Sequence, residues 1–141
     1  MKNKALTLTL IFLVSLTLIG MIGMFYYFQY DKKEPSANPT IDEILEASVD
    51  VEEITTNLAG KQFIRISLKI QTNSKQAAKE LSKRDFQVKN MIIQELSEMT
   101  SADLEGKSGK QKFEEAVRAQ INALMQSGEV QKVYIVSSMI Q

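Results

Sequence analysis

Apolar and polar positions follow successive patterns along the chain, and each pattern predicts a different element. The stretch ALTLTLIFLVSLTLIGMIGMFYYFQY, with Ala5 and Tyr30 as its ends, is 26 residues without a charge. It predicts a membrane-spanning helix, since at ~1.5 Å rise per residue it reaches about 39 Å against a hydrocarbon core of ~30 Å. From residue 47 the pattern becomes alternation: Ala47, Val49 and Val51, then Ile54, Thr56 and Leu58 on a shifted phase. That reads as a strand with a bulge near Glu52 and Glu53. Ile64, Ile66, Leu68 and Ile70 next alternate with Arg65, Ser67 and Lys69, a strand with one buried and one wet face. The short Ala59-Gly60-Lys61 connection makes the two an antiparallel hairpin.

Beyond Asn73 the period lengthens. Ala77, Leu81, Val88, Ile92, Leu96 and Met99 recur at helical spacing, the stripe of one long helix, with Glu80–Arg84 and Asp85–Lys89 placed as ion pairs on its wet side. A second helix is predicted from about Gly109 to Gln126, with Phe113, Ala116, Val117, Ile121 and Leu124 inward. Glu114 pairs with Arg118 on its outside, and Gly128 stops it. The closing EVQKVYIVSSMIQ is apolar on both phases, a strand with two covered or partly covered faces. Hairpin, two helices and strand in that order predict an α+β domain. The domain boundaries follow: residues 1–30 as N-terminus and membrane anchor, 31–43 as a stiff linker holding both prolines, and 44–141 as the folded unit.

Charge orients the anchor. Lys2 and Lys4 precede the span while DKKE after it is locally neutral, so the positive-inside bias predicts a cytoplasmic N-terminus and an extracytoplasmic domain. The aromatics from Phe25 to Tyr30 suit the headgroup level. A secretory signal has an apolar region of only ~7–15 residues followed by small residues, unlike this run. With no Asp, Glu, Lys or Arg inside it, the span lacks the ionisable groups that ion-conducting and proton-relay helices use. Ser15, Thr17, Gly20 and Gly23 offer small residues for a helix–helix contact, against the alternative that the hydroxyls bond their own backbone.

Composition removes much chemistry. The chain has no Cys and no His, which excludes disulfides, thiolate zinc sites and the commonest general base. Lys and Arg number 17, as do Asp and Glu, and no basic excess marks a nucleic-acid binder. The charge is uneven: residues 31–53 hold eight acids and two lysines, a net of −6, and residues 54–141 carry a net of +4. Such polarity suits a protein partner or a solvated surface. Arg65 and Lys69 on one strand face, with Arg84 on the helix, are the candidate partner interface. SADLEGKSGK, residues 101–110, contains GKS but puts Ser101 where a phosphate loop needs its first Gly, and it follows a helix rather than a strand. Both the motif and its context speak against nucleotide binding. Ser108 with Gln111 instead fits a capping box for the second helix, Thr100 with Asp103 a brief helical turn, and Gly106 and Gly109 positive φ.

Several residues taken in order resemble the flagellar basal body-associated protein FliL family. They are the N-terminal span, TNL at Thr56 to Leu58 before a basic-apolar strand, LSKRDFQVKNMIIQELSEMTSADL in the long helix, Gly109-Lys110, Ile121-Asn122, and the closing V-Y with terminal IQ. The sequence departs from the family at Ile135 to Met139, where aromatic residues and Thr are usual. The resemblance implies a single-pass inner-membrane protein with a stomatin-like (SPFH) outer domain, no catalytic, cofactor-binding or metal residues, and ring-forming association with itself. It further implies association with flagellar stator proteins of the MotA/MotB type, supporting torque and motility. The residues alone leave open a membrane-anchored envelope scaffold or sensor with no flagellar role. An anchored hydrolase would need two carboxylates pushed apart in pKa within a cleft.

Overall fold

The computed structural model describes residues 2–30 and 38–141, in two compact units, residues 1–36 and 37–141. The first is a single helix, α1 (Lys2–Tyr30). Its stretch from Asn3 to Phe28 is apolar and long enough to cross a membrane. The hydroxyls of Thr7, Thr9, Ser15 and Thr17 donate to carbonyls three or four residues back, so these side chains are satisfied within the helix. Residues 31–37 of the expected linker lie outside the described residues.

The second unit opens with α2 (Ile41–Glu46), started by a capping box in which the Glu43 N–H donates to Thr40 Oγ1 and the Thr40 N–H to the Glu43 carboxylate. β1 (Ser48–Asn57) and β2 (Phe63–Thr72) follow as an antiparallel hairpin. Its register shifts between Val51 and Ile54, where the change of apolar phase required a bulge. Then come α3 (Lys75–Lys83), α4 (Asp85–Glu98), a 3₁₀ turn (Ala102–Leu104), α5 (Gly106–Asn122) and β3 (Val130–Ile140). β3 pairs antiparallel with β2, giving a sheet ordered β1-β2-β3. One face of the sheet meets the helices: Ile64, Ile66, Leu68 and Ile70 pack against Leu81, Val88, Ile92 and Leu96 and against Phe113, Val117 and Ile121 of α5.

Three expectations need correction. The single long helix is two, broken at Arg84 (φ −92°, ψ 12°). The apolar stripe runs through the break, but it has no apolar residue between Leu81 and Val88 in buried position, so nothing holds that turn to the sheet. Arg84 bridges the joint instead, donating from Nε to Glu80 (2.8 Å) and from a terminal nitrogen to Gln87 (3.0 Å). Second, α5 begins at Gly106, with Glu105 in the N-cap position and no side-chain cap. Ser108 is thus inside the first turn and not a cap. Gly106 does take positive φ (66°), but Gly109 is helical and buried, and a Cβ there would collide with the Asp103 carbonyl. Third, α5 stops at Asn122, before Gly128. The Asn122 side chain accepts from the Val130 N–H (2.6 Å) and donates to the Val130 carbonyl (3.0 Å), tying the helix end to the first residue of β3.

The expected Thr100–Asp103 turn is present: the Thr100 N–H and hydroxyl donate to the Asp103 carboxylate at 2.8 and 2.7 Å. These bonds, the backbone one foremost, hold the Asp103 carboxyl below its ordinary range.

Candidate partner interface

β2 is the middle strand, so its alternate residues define the two faces of the sheet. With the isoleucines turned to the helices, Phe63, Arg65, Ser67, Lys69 and Gln71 form the central row of the opposite face. Register places Asn57, Thr55, Asp50 and Ser48 on one side of that row, and Met139, Ser137, Tyr134 and Lys132 on the other. Among the described residues of the folded unit no helix covers this face: Phe63 is 51% exposed and Met139 55%. Ser67 and Ser137 share a hydroxyl hydrogen bond of 2.6 Å, and the Tyr134 hydroxyl donates to Gln71 (3.0 Å).

Arg65 and Lys69 therefore lie together as the period-two pattern required, but their charges differ in availability. Lys69 is paired with Asp50 on β1 at 2.8 Å, whereas Arg65 lies between Thr55 and Met139 and has no acid partner among the described residues. Lys132 sits over the Tyr134 ring, 4.9 Å from its centre, a cation–π contact. Arg65 and Lys132 thus give the face a positive character beside exposed Phe63 and Met139. Lys132, Tyr134 and Met139 escaped sequence reasoning, since the final segment is apolar on both phases and only its register against β2 assigns each residue to a face; Phe63 was also missed, although it shares the period-two phase of Arg65 and Lys69.

Arg84 stands elsewhere, on the helical layer. Its partner Glu80 also accepts from the backbone N–H groups of Gln126 (3.0 Å) and Ser127 (2.6 Å) in the turn after α5. Burial works upward on the Glu80 carboxyl, but the Ser127 N–H, the Arg84 guanidinium and the Gln126 N–H together hold its pKa below the ordinary value. Arg84 is therefore part of an internal clamp joining α3 to the turn before β3. The predicted Glu114–Arg118 pair is also replaced: Arg118 binds Glu115, and Glu114 accepts from the Ile135 N–H of β3 (3.2 Å).

β3 itself is less covered than its composition led one to expect. Val130 and Val133 are buried, but Val136, which has no partner on β2 where the register shifts, is 63% exposed. A cavity of about 280 Å³ opens between its C-terminal half and the start of α5, lined among others by Ile64, Leu104, Ile135, Ile140, Glu105 and Lys110. Among the described residues Thr72 is the sole buried polar side chain, and no group of three or more metal-ligating side chains comes together.

Residues 48–141, from the first residue of β1 to the end of the chain, match the family described as flagellar basal body-associated protein FliL. The chain belongs to the FliL family. A flagellar protein FliL of Bacillus subtilis (strain 168) is 43% identical over 124 residues, 86% of this chain and 89% of the relative. A flagellar protein FliL of Aquifex aeolicus (strain VF5) is 27% identical over 79 residues, 56% of this chain and 49% of that protein. FliL proteins are flagellar accessory proteins rather than an enzyme family, and the matched region holds the whole sheet with its open face.

Proposed function

We propose that this protein is a non-enzymatic, membrane-anchored accessory of the bacterial flagellar basal body that associates with the stator and supports torque. The observation that carries the reading is the family match across all three strands and helices α3 to α5. In this reading α1 anchors the chain with its N-terminus in the cytoplasm, as Lys2 and Lys4 favour. The folded unit lies outside and joins copies of itself in a stomatin-like ring. The open sheet face, with Arg65, Lys69 and Lys132 among exposed apolar residues, is the surface we assign to the stator; a positive, partly apolar patch suits an acidic partner.

Deleting the protein is expected to reduce swimming most in viscous medium, where motor load is high, while filaments still assemble. A fluorescent fusion is expected to form foci coincident with stator foci. Unchanged motility in both viscous and dilute media, with fluorescence spread evenly over the membrane, overturns the reading.

A further inference from the structure

We propose that the groove between the outer edge of β3 and the start of α5 binds an extended segment of another protein, which adds as an antiparallel strand beside Ser138 and Ile140. The segment places a branched aliphatic residue in the cavity, with a Lys or Arg two residues before it and an Asp or Glu two residues after it. This groove is separate from the open sheet face assigned to the stator, and it does not rest on that reading.

Hydrogen bonding sets which backbone groups are free. β3 is an outer strand of the sheet, and Phe63 and Gln141 exchange both backbone bonds at 2.9 Å. Bonded and non-bonded pairs alternate along an antiparallel ladder, so Met139 and Ser137 turn their N–H and C=O groups to β2 while Ile140 and Ser138 turn theirs outward. Further back the edge is closed: the register shifts at Val136, and the Ile135 N–H donates to the Glu114 carboxylate (3.2 Å). Bulges and inward-reaching charges stop strands from adding. The open stretch at Ser138 and Ile140 is short, which suits a peptide segment added through its main chain rather than the full edge of another sheet.

Ser138 and Ile140 are register partners of Ile66 and Ile64, and directly opposed residues share a face. Both therefore point to the helical side, where they line the cavity of about 280 Å³ with Leu104 and Ile135. A peptide residue paired with Ser138 lies on that same side, and the short serine side chain leaves it room to enter. An apolar cavity of ~150 Å³ already accepts benzene, so a Leu, Ile or Val fits this one.

Charge decides what flanks the aliphatic residue. Asn122 is tied to Val130 and Glu114 to Ile135, so α5 runs antiparallel to β3. Its start reaches the cavity with Glu105 toward the Ile140 end and Lys110 toward the Val136 end. Neither is in an ion pair among the described residues. In an antiparallel partner the residue two before the aliphatic one falls opposite Ile140, beside Glu105, and the residue two after it falls toward Lys110. Residues 133–140, VYIVSSMI, contain no charged side chain, so β3 of a second copy answers neither charge. β1 has Asp50, Glu52 and Glu53 and no base, so it sets like charge against Glu105.

The full-length protein in detergent is titrated into fluorescent synthetic peptides, with binding read by anisotropy. GSKTLTDSG is expected to bind saturably, and replacing its Leu by Ala to weaken binding about tenfold. Methylating the backbone nitrogen of that Leu removes the bond to Ser138 and is expected to cost about tenfold as well. The charge-exchanged peptide GSDTLTKSG is expected to bind the parent protein about tenfold more weakly. The double variant Glu105→Lys with Lys110→Glu is expected to reverse that preference. Equal binding of the two charge patterns by the parent, a preference for GSDTLTKSG, or undiminished binding of the methylated peptide each overturns the proposal, and these arms need no variant to fold. A folded double variant that keeps the parent's preference overturns it too. So does the absence of saturable binding by GSKTLTDSG; disulfide-linked dimers of Ser138→Cys in that case assign the edge to a second copy.

Discussion

Gly106 and Gly109 stand three residues apart in the stretch that looked like a phosphate loop, and each is glycine for its own reason. Gly106 takes φ 66° at the entry to α5, a conformation that costs an L-residue ~1–2 kcal/mol. Gly109 is ordinary in φ but lies against the backbone of Asp103 and Leu104. Gly109→Ala is expected to destabilise by about 1–3 kcal/mol, the usual cost of overpacking, measurable by chemical denaturation. The spacing of the glycines was visible in the sequence; the close approach at Gly109 was not, because it depends on where the preceding 3₁₀ turn folds back. Glu80 carries a pH prediction. Its folded pKa is lowered from a model-compound value of 4.5, so its contribution is present above that value and is lost as pH falls through the lower folded pKa. Glu80→Gln is expected to be less stable at pH 7 and to lose less stability than the parent as pH falls below 4.5. Parallel pH-dependent curves for the two proteins would show that the carboxylate is not the group involved.

At the scale of elements, caps and ties separate two serines that look alike in sequence. Ser74 accepts the Ala77 N–H at 3.1 Å to start α3, and Ser74→Ala is expected to cost ~1 kcal/mol. Ser108, exposed within the first turn of α5, should tolerate Ala within ~0.5 kcal/mol, as surface changes away from caps do. Equal losses in thermal melts would contradict the helix start at Gly106. Asn122 joins α5 to β3 through both polar atoms of its amide; Asn122→Ala leaves the Val130 N–H and C=O without that partner and is expected to cost ~1–3 kcal/mol. Element type was legible from period for the three strands and the helical layer, but not for α2 (Ile41–Glu46), whose six residues are too few to show a period. Element ends were less so, since a helix stops where its neighbours stop supporting it. The break at Arg84 contains neither Gly nor Pro, and its stabilisation by Glu80 and Gln87 is a property of the packed joint.

For the whole molecule, the three cations proposed as one interface divide into two functions. Arg65→Glu is expected to weaken stator association while leaving the melting temperature unchanged, because Arg65 has no acid partner among the described residues on its open face. Arg84→Glu should instead lower the melting temperature, since it sets like charge against Glu80 in the clamp. A pull-down and a thermal melt on both variants distinguish the roles; intact binding with Arg65→Glu moves the interface off the open face. The sequence by itself determined the long apolar N-terminal helix, the hairpin with its bulge, the helical layer and the absence of His and Cys, because spacing, composition and local turn chemistry depend on neighbouring residues. Only the tertiary structure decided which face the paired residues of β3 occupy, that Arg84 belongs to the clamp with Glu80, that Glu114 accepts from the Ile135 N–H, and where the cavity opens. These depend on pairings between residues far apart in the chain, such as Ser67 with Ser137 and Glu80 with Ser127, which no local period encodes.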